Sequence, residues 1–235
     1  YIKFVNFRDI EYNYTFLGHI SKFILPNINP YIDQNHKFKS IFIHIPKTAG
    51  RSIGQTIFEK NTGHNPAIRY YYYDKNSFKK YWKFTFVRNP WSRMLSAYDS
   101  LIECKDEISS FGKFIRENIC QYVNFEDFLK SIDKSEDLKY NKVMRWTHFI
   151  PQYKFITYKK IFNNDCKLLV DFVGKFENIE NDFEIVKNKL HLNMQIKEVG
   201  KRNKGLNYRD YYNKKTKLLI NDMYKQDIEL FKYEF

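Results

Sequence analysis

Cysteine is scarce in this chain, with three copies among 235 residues. The three are an odd number and lack Cys-x-x-Cys spacing, so the sequence indicates neither a zinc site nor a dense disulfide framework. The sequence does not decide whether Cys104 and Cys120 form a disulfide. The scarcity of cysteine therefore argues against the small disulfide-stabilised domains as a class.

Long apolar runs are also missing. The most apolar early segment, Phe16 to Leu25, is interrupted by His19 and Lys22 and is shorter than the roughly 20 apolar residues of a membrane-spanning helix. The sequence thus predicts no membrane span and no signal peptide. Because the chain begins at Tyr1, an upstream segment could have been removed, and the compartment stays open. It is the cytoplasm for a bacterial or viral protein, and the Golgi lumen if a membrane anchor has been removed.

Acidic residues are outnumbered, since 27 Asp and Glu stand against 40 Lys and Arg and give a formal net charge of +13. Such a surplus attracts polyanions, among them nucleic acids, sulfated glycans and nucleotides. Apolar residues are plentiful, at 43% of the chain with 22 Phe and 19 Tyr. The composition predicts a globular protein with an aromatic core, and the length fits one domain, 1–235.

Strand and helix patterns alternate along the chain. Strands are predicted at Ser40–Ile45, Lys83–Val87 and Leu168–Val173, and helices follow them over about 52–58, 91–101 and 179–190. Ser92 is the expected signal for the start of the second helix. The stretch 103–153 is predicted to be helical, because Phe125, Phe128, Leu129 and Ile132 recur at three- and four-residue steps. Alternating strands and helices predict an α/β protein with a parallel sheet covered by helices.

The loop Pro46–Ser52 has the parts of a phosphate-binding site. It follows a strand and precedes a helix, and it offers a cation (Lys47), two hydroxyls and a glycine (Gly50) that would let the main chain approach a ligand closely. It is not a Walker A loop, since there the lysine follows the second glycine. The alternative is an ordinary strand-to-helix turn with solvated charges.

Two motifs in this order resemble those of the carbohydrate sulfotransferases that use 3′-phosphoadenosine-5′-phosphosulfate (PAPS). The segment 44–52, HIPKTAGRS, is similar to their 5′-phosphosulfate-binding loop, and 86–98, FVRNPWSRMLSAY, to their 3′-phosphate-binding segment. The similarity covers about 38–235, through 148–152, 171–178 and 208–212. It implies a P-loop-like three-layer fold, with a nucleotide-binding core at about 38–102 and 166–235 and a mainly helical acceptor-side insertion at about 103–165.

The resemblance also implies the roles of individual residues. The 5′-phosphate and the sulfuryl group would be held by Lys47, Thr48, Ala49, Gly50, Arg51 and Ser52. Arg88 and Ser96 would bind the 3′-phosphate, for which the planar fork of an arginine is well suited. PAPS would be the donor, 3′-phosphoadenosine-5′-phosphate (PAP) the product, and no metal would be required. Arg202 and Lys204, in a basic stretch between two glycines, are further candidates for the nucleotide; the alternative is a solvated run of charge.

Transfer to a hydroxyl needs a general base, and histidine is the usual one near neutral pH. The pair Gly63-His64 resembles the Gly-His element of uronyl 2-O-sulfotransferases and their bacterial relatives, so His64 is the expected base. His148 is the second candidate, with Gln152 one helical turn later. His44 lies within a predicted strand, where packing in the core is the expected role.

Two other classes of protein remain as alternatives. A basic nucleic-acid-binding module would use the net charge and aromatic side chains such as Tyr70–Tyr73, although no compact recognition motif is present. A nucleotide kinase on a related fold would need ATP and a metal ion. The resemblance favours a sulfotransferase that acts on a carbohydrate hydroxyl, and the basic charge suits a glycan that is already anionic. A small alcohol or a protein tyrosine would use the same donor site. The identity of the acceptor and the oligomeric state stay open.

Overall fold

The structure is a computed structural model, and it describes residues 29–103, 110–132, 143, 146–159, 166–197 and 207–235. The chain divides into two compact units. Unit 1 holds the described residues up to Val87 and those from Gln152 to 197. Unit 2 holds those from Arg88 to Pro151 and from 207 onward.

A three-stranded parallel sheet forms the centre of unit 1. Its strands β1 (Ser40–Ile43), β2 (Trp82–Val87) and β5 (Phe172–Lys175) lie in the order β1-β2-β5. Ile43 pairs with Thr85, and Val87 pairs with Lys175. The three strands therefore end at one edge of the sheet. The first two strands are buried over nearly their whole length, as expected for strands covered on both faces.

The described residues of unit 1 form six α-helical segments. They are α1 (Asp33–Phe38), α2 (Gly50–Ile53), α3 (Ala67–Tyr73), α4 (Lys75–Lys80), α8 (Tyr153–Ile156) and α9 (Ile179–Leu190), and α2 continues as a π-helical segment over Gly54–Phe58. The sheet and these helices enclose a mainly aromatic core, which includes Phe42, Phe58, Phe84, Phe86 and Phe183. The predicted α/β fold, with a parallel sheet flanked by helices, is confirmed.

The third predicted strand, Leu168–Val173, is wrong in its bounds. The chain forms two short strands there: β4 (Cys166–Leu168) pairs antiparallel with β3 (Thr157–Lys159), and β5 begins only at Phe172. Asp171, between them, sets the start of β5. Its Oδ2 accepts from the main-chain N–H of Lys83 at 2.8 Å and lies 2.9 Å from Lys83 Nζ. An apolar run alone does not reveal such a break, because the ion pair is formed with a distant strand.

Unit 2 is helical in its described residues. Its helices are α5 (Pro90–Ile102), α6 (Ser110–Asn118), α7 (Phe125–Ser131), α10 (Lys214–Met223) and α11 (Lys225–Phe231), with a 3₁₀ turn at Tyr208–Tyr211. Phe125, Phe128, Leu129 and Ile132 are all buried, which confirms the predicted helical face of α7. They pack in one core with apolar residues of α5 and α10, such as Trp91 and Ile220.

Candidate functional site

The turn between β1 and α2 carries most of the predicted phosphate ligands. Lys47 (φ 70°) and Ala49 (φ 62°) both adopt left-handed backbone conformations. These are uncommon for residues with a side chain, because Cβ then crowds the following carbonyl. A turn containing such residues can direct successive N–H groups to one side, which is how main-chain anion sites are built. The local backbone of this turn is therefore of a kind that fits an anion.

Thr48 has a structural task in this turn. It is fully buried, and its Oγ1 donates to the carbonyl of Ile45 at 2.9 Å. Since a hydroxyl has one proton, Thr48 in this conformation stabilises the turn and does not donate through Oγ1 to a ligand. The cations of the turn are Lys47, which is half-buried, and Arg51, which is exposed, while Ser52 in the first turn of α2 is buried.

Gly50 makes room for a histidine. A Cβ built on Gly50 would collide with the imidazole of His44, meeting its Cδ2 and Nε2 atoms. His44 is 3% exposed and stacks on Phe42, with ring centroids 5.8 Å apart and 13° between the planes. The expected burial of His44 is confirmed. From the sequence, Gly50 was expected to let the main chain approach the ligand closely; the structure shows that Gly50 also leaves room for His44.

His64 lies against the residue that leads into the turn. Gly63, with φ 64°, turns the chain before it, and His64 Nδ1 is 3.1 Å from the main-chain carbonyl of His44. A carbonyl oxygen only accepts, so Nδ1 carries a proton and donates it. In the neutral ring the lone pair is then on Nε2. This is the tautomer in which a histidine acts as a base through Nε2.

Arg88, in unit 2, lies just before the cap of α5. Its Nε donates to Ser92 Oγ at 3.0 Å. Ser96 is four residues further on, so the two serines lie on the same face of the helix. Both are half-buried, whereas the three residues between them are buried. Ser92, which the sequence did not single out as a ligand, therefore binds the predicted ligand Arg88 and shares a helix face with the predicted ligand Ser96.

The start of α5 is fixed by Asn89 and not, as expected, by Ser92. Asn89 Oδ1 accepts from the main-chain N–H groups of Trp91 and Ser92, at 3.1 and 3.3 Å. Its Nδ2 donates to the carbonyl of Glu234 at 2.8 Å, and Pro90 occupies the first helical position. The Asn-Pro dipeptide is the signal that could have located this cap. The bond to Glu234 had no local signal, because it joins residues 145 positions apart.

His148 lies in a turn that two buried side chains hold. Arg93, 1% exposed, donates from Nη2 to the carbonyl of Ile150 at 3.0 Å, and the Tyr224 hydroxyl donates to that of Phe149 at 2.7 Å. Burial lowers the pKa of Arg93, while Tyr224 and Asp227 act in the opposite direction. His148 itself is half-buried. His64 belongs to unit 1 and His148 to unit 2.

Several sequence predictions fall outside the described residues, among them Arg202, Lys204 and Cys104. Cys120 is a free, exposed thiol. Within the described ranges, no three His, Cys, Asp or Glu side chains are grouped so as to hold a metal ion. Of the helices in that same part of the chain, none combines the length and apolar character needed to cross a membrane.

The protein is thus an α/β protein with a parallel sheet. Its candidate phosphate ligands lie in or beside the turns that follow the first two strands. The model of the sulfotransferase family matches residues 30–234. The chain therefore belongs to the sulfotransferase family, a group of transferases that move a sulfuryl group and share a P-loop-like fold. No curated protein and no solved structure matches the chain.

Proposed function

We propose that this sulfotransferase takes its sulfuryl group from PAPS and transfers it to a hydroxyl of a carbohydrate. His64 is the general base and Lys47 stabilises the leaving group. The observation that carries the proposal is the bond from His64 Nδ1 to the carbonyl of His44, two residues before Pro46. It ties the candidate base to the strand end from which the basic turn begins, and it sets the tautomer that a base requires.

In this proposal the donor is bound by the two segments that resemble the nucleotide-binding motifs of carbohydrate sulfotransferases. The 5′-phosphosulfate is held by the main chain of 47–50 and by Lys47, Arg51 and Ser52, with Thr48 shaping the turn. The 3′-phosphate is read by Arg88 and Ser96, and Ser92 orients the guanidinium of Arg88. Two kinds of donor thus act on two phosphates: main-chain N–H groups with a lysine on one, and an arginine fork with a hydroxyl on the other.

The proposed reaction is an in-line displacement at sulfur. The acceptor oxygen forms a bond to sulfur while the bond from sulfur to the oxygen of the 5′-phosphate breaks, and PAP leaves with that electron pair. His64 Nε2 takes the proton of the acceptor hydroxyl. Lys47 offsets the negative charge that grows on the bridging oxygen, an effect worth several kcal/mol where donors are pre-organised. No metal ion has a role in this scheme.

The acceptor class is inferred from the motifs and the charge. The motifs resemble those of carbohydrate sulfotransferases, and a net charge of +13 favours an acceptor that is already anionic. His148 is proposed to contact the acceptor, and it is the second candidate for the base.

Donor and acceptor are tested with one set of reactions. We expect PAP to bind the purified protein in calorimetric titration, and transfer of radiolabelled sulfate from PAPS to persist in a chelator. Glycans with uronic acids should be sulfated in preference to neutral glycans, as read by mass spectrometry. Phosphoryl transfer from ATP with magnesium, or binding of single-stranded DNA without binding of PAP, would contradict the proposal.

The base is tested by substitution. His64→Ala should lower kcat by about 10²–10⁴-fold, the usual contribution of general acid-base catalysis, and leave PAP affinity unchanged. It should also remove the acidic limb of the pH-rate profile. His148→Ala is the comparison and should raise the KM for the acceptor. If His64→Ala keeps normal turnover while His148→Ala abolishes it, the role of base passes to His148.

A further inference from the structure

His44 packs against two other rings and is hydrogen-bonded along one edge. Phe42 stacks on its ring at 5.8 Å, and the His64 ring lies 4.3 Å from it at 62°. Its Nδ1 is hydrogen-bonded to Thr62 Oγ1 at 3.3 Å. Its main-chain carbonyl accepts a hydrogen bond from the Nδ1–H group of His64. His44 therefore contacts the candidate base through both its ring and its backbone.

The opposite edge of the same ring meets the donor loop. Its Cδ2 and Nε2 atoms occupy the space where a side chain of Gly50 would begin. Gly50 is helical, and Gly63 is the glycine with positive φ in the described residues, so the backbone at position 50 would accept an alanine. The obstacle to a side chain at position 50 is thus the imidazole of His44 and not backbone strain.

We propose that His44 is a positioning residue that joins the His64 base to the donor loop. This inference rests on the proposed function. One buried ring touches both the first residue of α2 and His64, so a shift of the loop is transmitted to the base. Interiors are close-packed, and a displaced ring of this size has no empty space to enter.

The polarity of the ring supports this role. A residue that only filled the core would be apolar, since a buried polar group is costly unless it is hydrogen-bonded. The hydrogen bond of His44 to Thr62 offsets this cost, and it also fixes the rotation of the ring. A fixed ring plane is needed for a ring that orients a second ring but not for one that only fills space.

The test is a double-mutant cycle of Gly50→Ala and His44→Ala. Gly50→Ala alone should weaken PAP binding at least about tenfold, since side chains in direct contact couple strongly. His44→Ala alone should lower kcat about tenfold or more, with little change in PAP affinity. In the double variant the ring is gone, the alanine fits, and PAP affinity should return to within about threefold of that of His44→Ala.

A second glycine of the same helical segment gives the matched control. A Cβ on Gly54 would press on the carbonyl of Lys60 at 2.9 Å and would lie 3.5 Å from Thr62, which is an ordinary contact; its three nearest atoms do not include His44. Damage from Gly54→Ala should therefore be the same with or without His44. His44→Gln, which keeps a polar group for Thr62, should recover part of the kcat that His44→Ala loses.

The outcomes distinguish a failure of the His44 proposal from a failure of the proposed sulfotransferase function. If Gly50→Ala weakens PAP binding equally with and without His44, Gly50 makes room for the ligand and the proposal is overturned. The same cycle is also measured without PAP, from the melting temperatures of the wild type, the two single variants and the double variant. If the effects of Gly50→Ala and His44→Ala on the melting temperature are coupled, and the wild type binds PAP, the proposal is supported. Coupling in a wild type that binds no PAP leaves the contact standing but overturns the proposed function and, with it, the catalytic role of His44.

Discussion

The two basic turns that follow β1 and β2 are built in opposite ways. The turn after β1 uses left-handed residues, Lys47 and Ala49, and the following helix has no side-chain cap. The turn after β2 leads into a regular helix of 13 residues, capped by Asn89 with Pro90 behind it. The first turn has a backbone conformation of the kind that builds main-chain anion sites, whereas the second places polar side chains before and along a regular helix. Substitutions should therefore act on catalysis at the first turn and on donor recognition at the second.

The largest effect is expected at the first turn. Lys47→Ala should lower kcat by about 10²–10³-fold, the range seen when one pre-organised group that stabilises transition-state charge is removed. PAP affinity should change less than kcat, because the charge that Lys47 offsets is greatest in the transition state. Single-turnover sulfate transfer measures the first quantity and calorimetry the second.

Lys60→Ala is the control for Lys47→Ala, since Lys60 is an exposed lysine of the same unit with no assigned role. It removes the same formal charge and should leave turnover unchanged. Equal losses in the two variants would mean that Lys47 acts only through the overall field of the protein.

The second turn should govern donor selection. Arg88→Ala should weaken PAPS binding about 10- to 150-fold, because a hydrogen bond to a charged group contributes about 1.5–3 kcal/mol. Adenosine 5′-phosphosulfate lacks the 3′-phosphate and should lose little. Ser92→Ala should act in the same direction with a smaller effect, since it removes only the bond that orients the guanidinium. A variant of Arg88 that keeps the wild-type preference for PAPS would show that Arg88 does not read the 3′-phosphate.

Asn89 allows the helix cap to be separated from the bond to Glu234. Asn89→Ser keeps a good capping oxygen but is too short to keep the Nδ2 donor, whereas Asn89→Ala removes both. Urea unfolding should therefore rank the proteins wild type, Asn89→Ser and Asn89→Ala, with about 1 kcal/mol for loss of the cap. PAP affinity should fall in the same order by a few fold. If Asn89→Ser and Asn89→Ala are equally unstable, the cap contributes nothing and the bond to Glu234 carries the effect.

Features set by local sequence signals could be predicted from the sequence, whereas features set by contacts between distant residues could not. Strands β1 and β2 and helix α9 were predictable because continuous apolar runs and helical spacing are local signals. The contact of His64 with His44 was not, because it joins residues 20 positions apart. Asn89 was missed as the cap of α5 although Asn-Pro is a strong local signal, because Ser92 offered a competing one. The break in the third strand depends on Asp171 and Lys83, 88 positions apart.

The two units can also be compared in their stability at alkaline pH. Burial raises the pKa of Tyr70 in unit 1 from 10.0 to about 12. Because the folded value exceeds the unfolded one, the stabilisation by protonated Tyr70 is complete below pH 10 and is lost as the pH rises to about 12, by about 2–3 kcal/mol. Tyr70→Phe should flatten the fall of the unfolding free energy over this range, measured by urea unfolding. Burial also raises the pKa of Tyr212 in unit 2, whose hydroxyl donates to the carbonyl of Trp91, so Tyr212→Phe should flatten the same fall but at a cost in stability at neutral pH. An unchanged slope in both variants would mean that alkaline unfolding begins elsewhere in the chain.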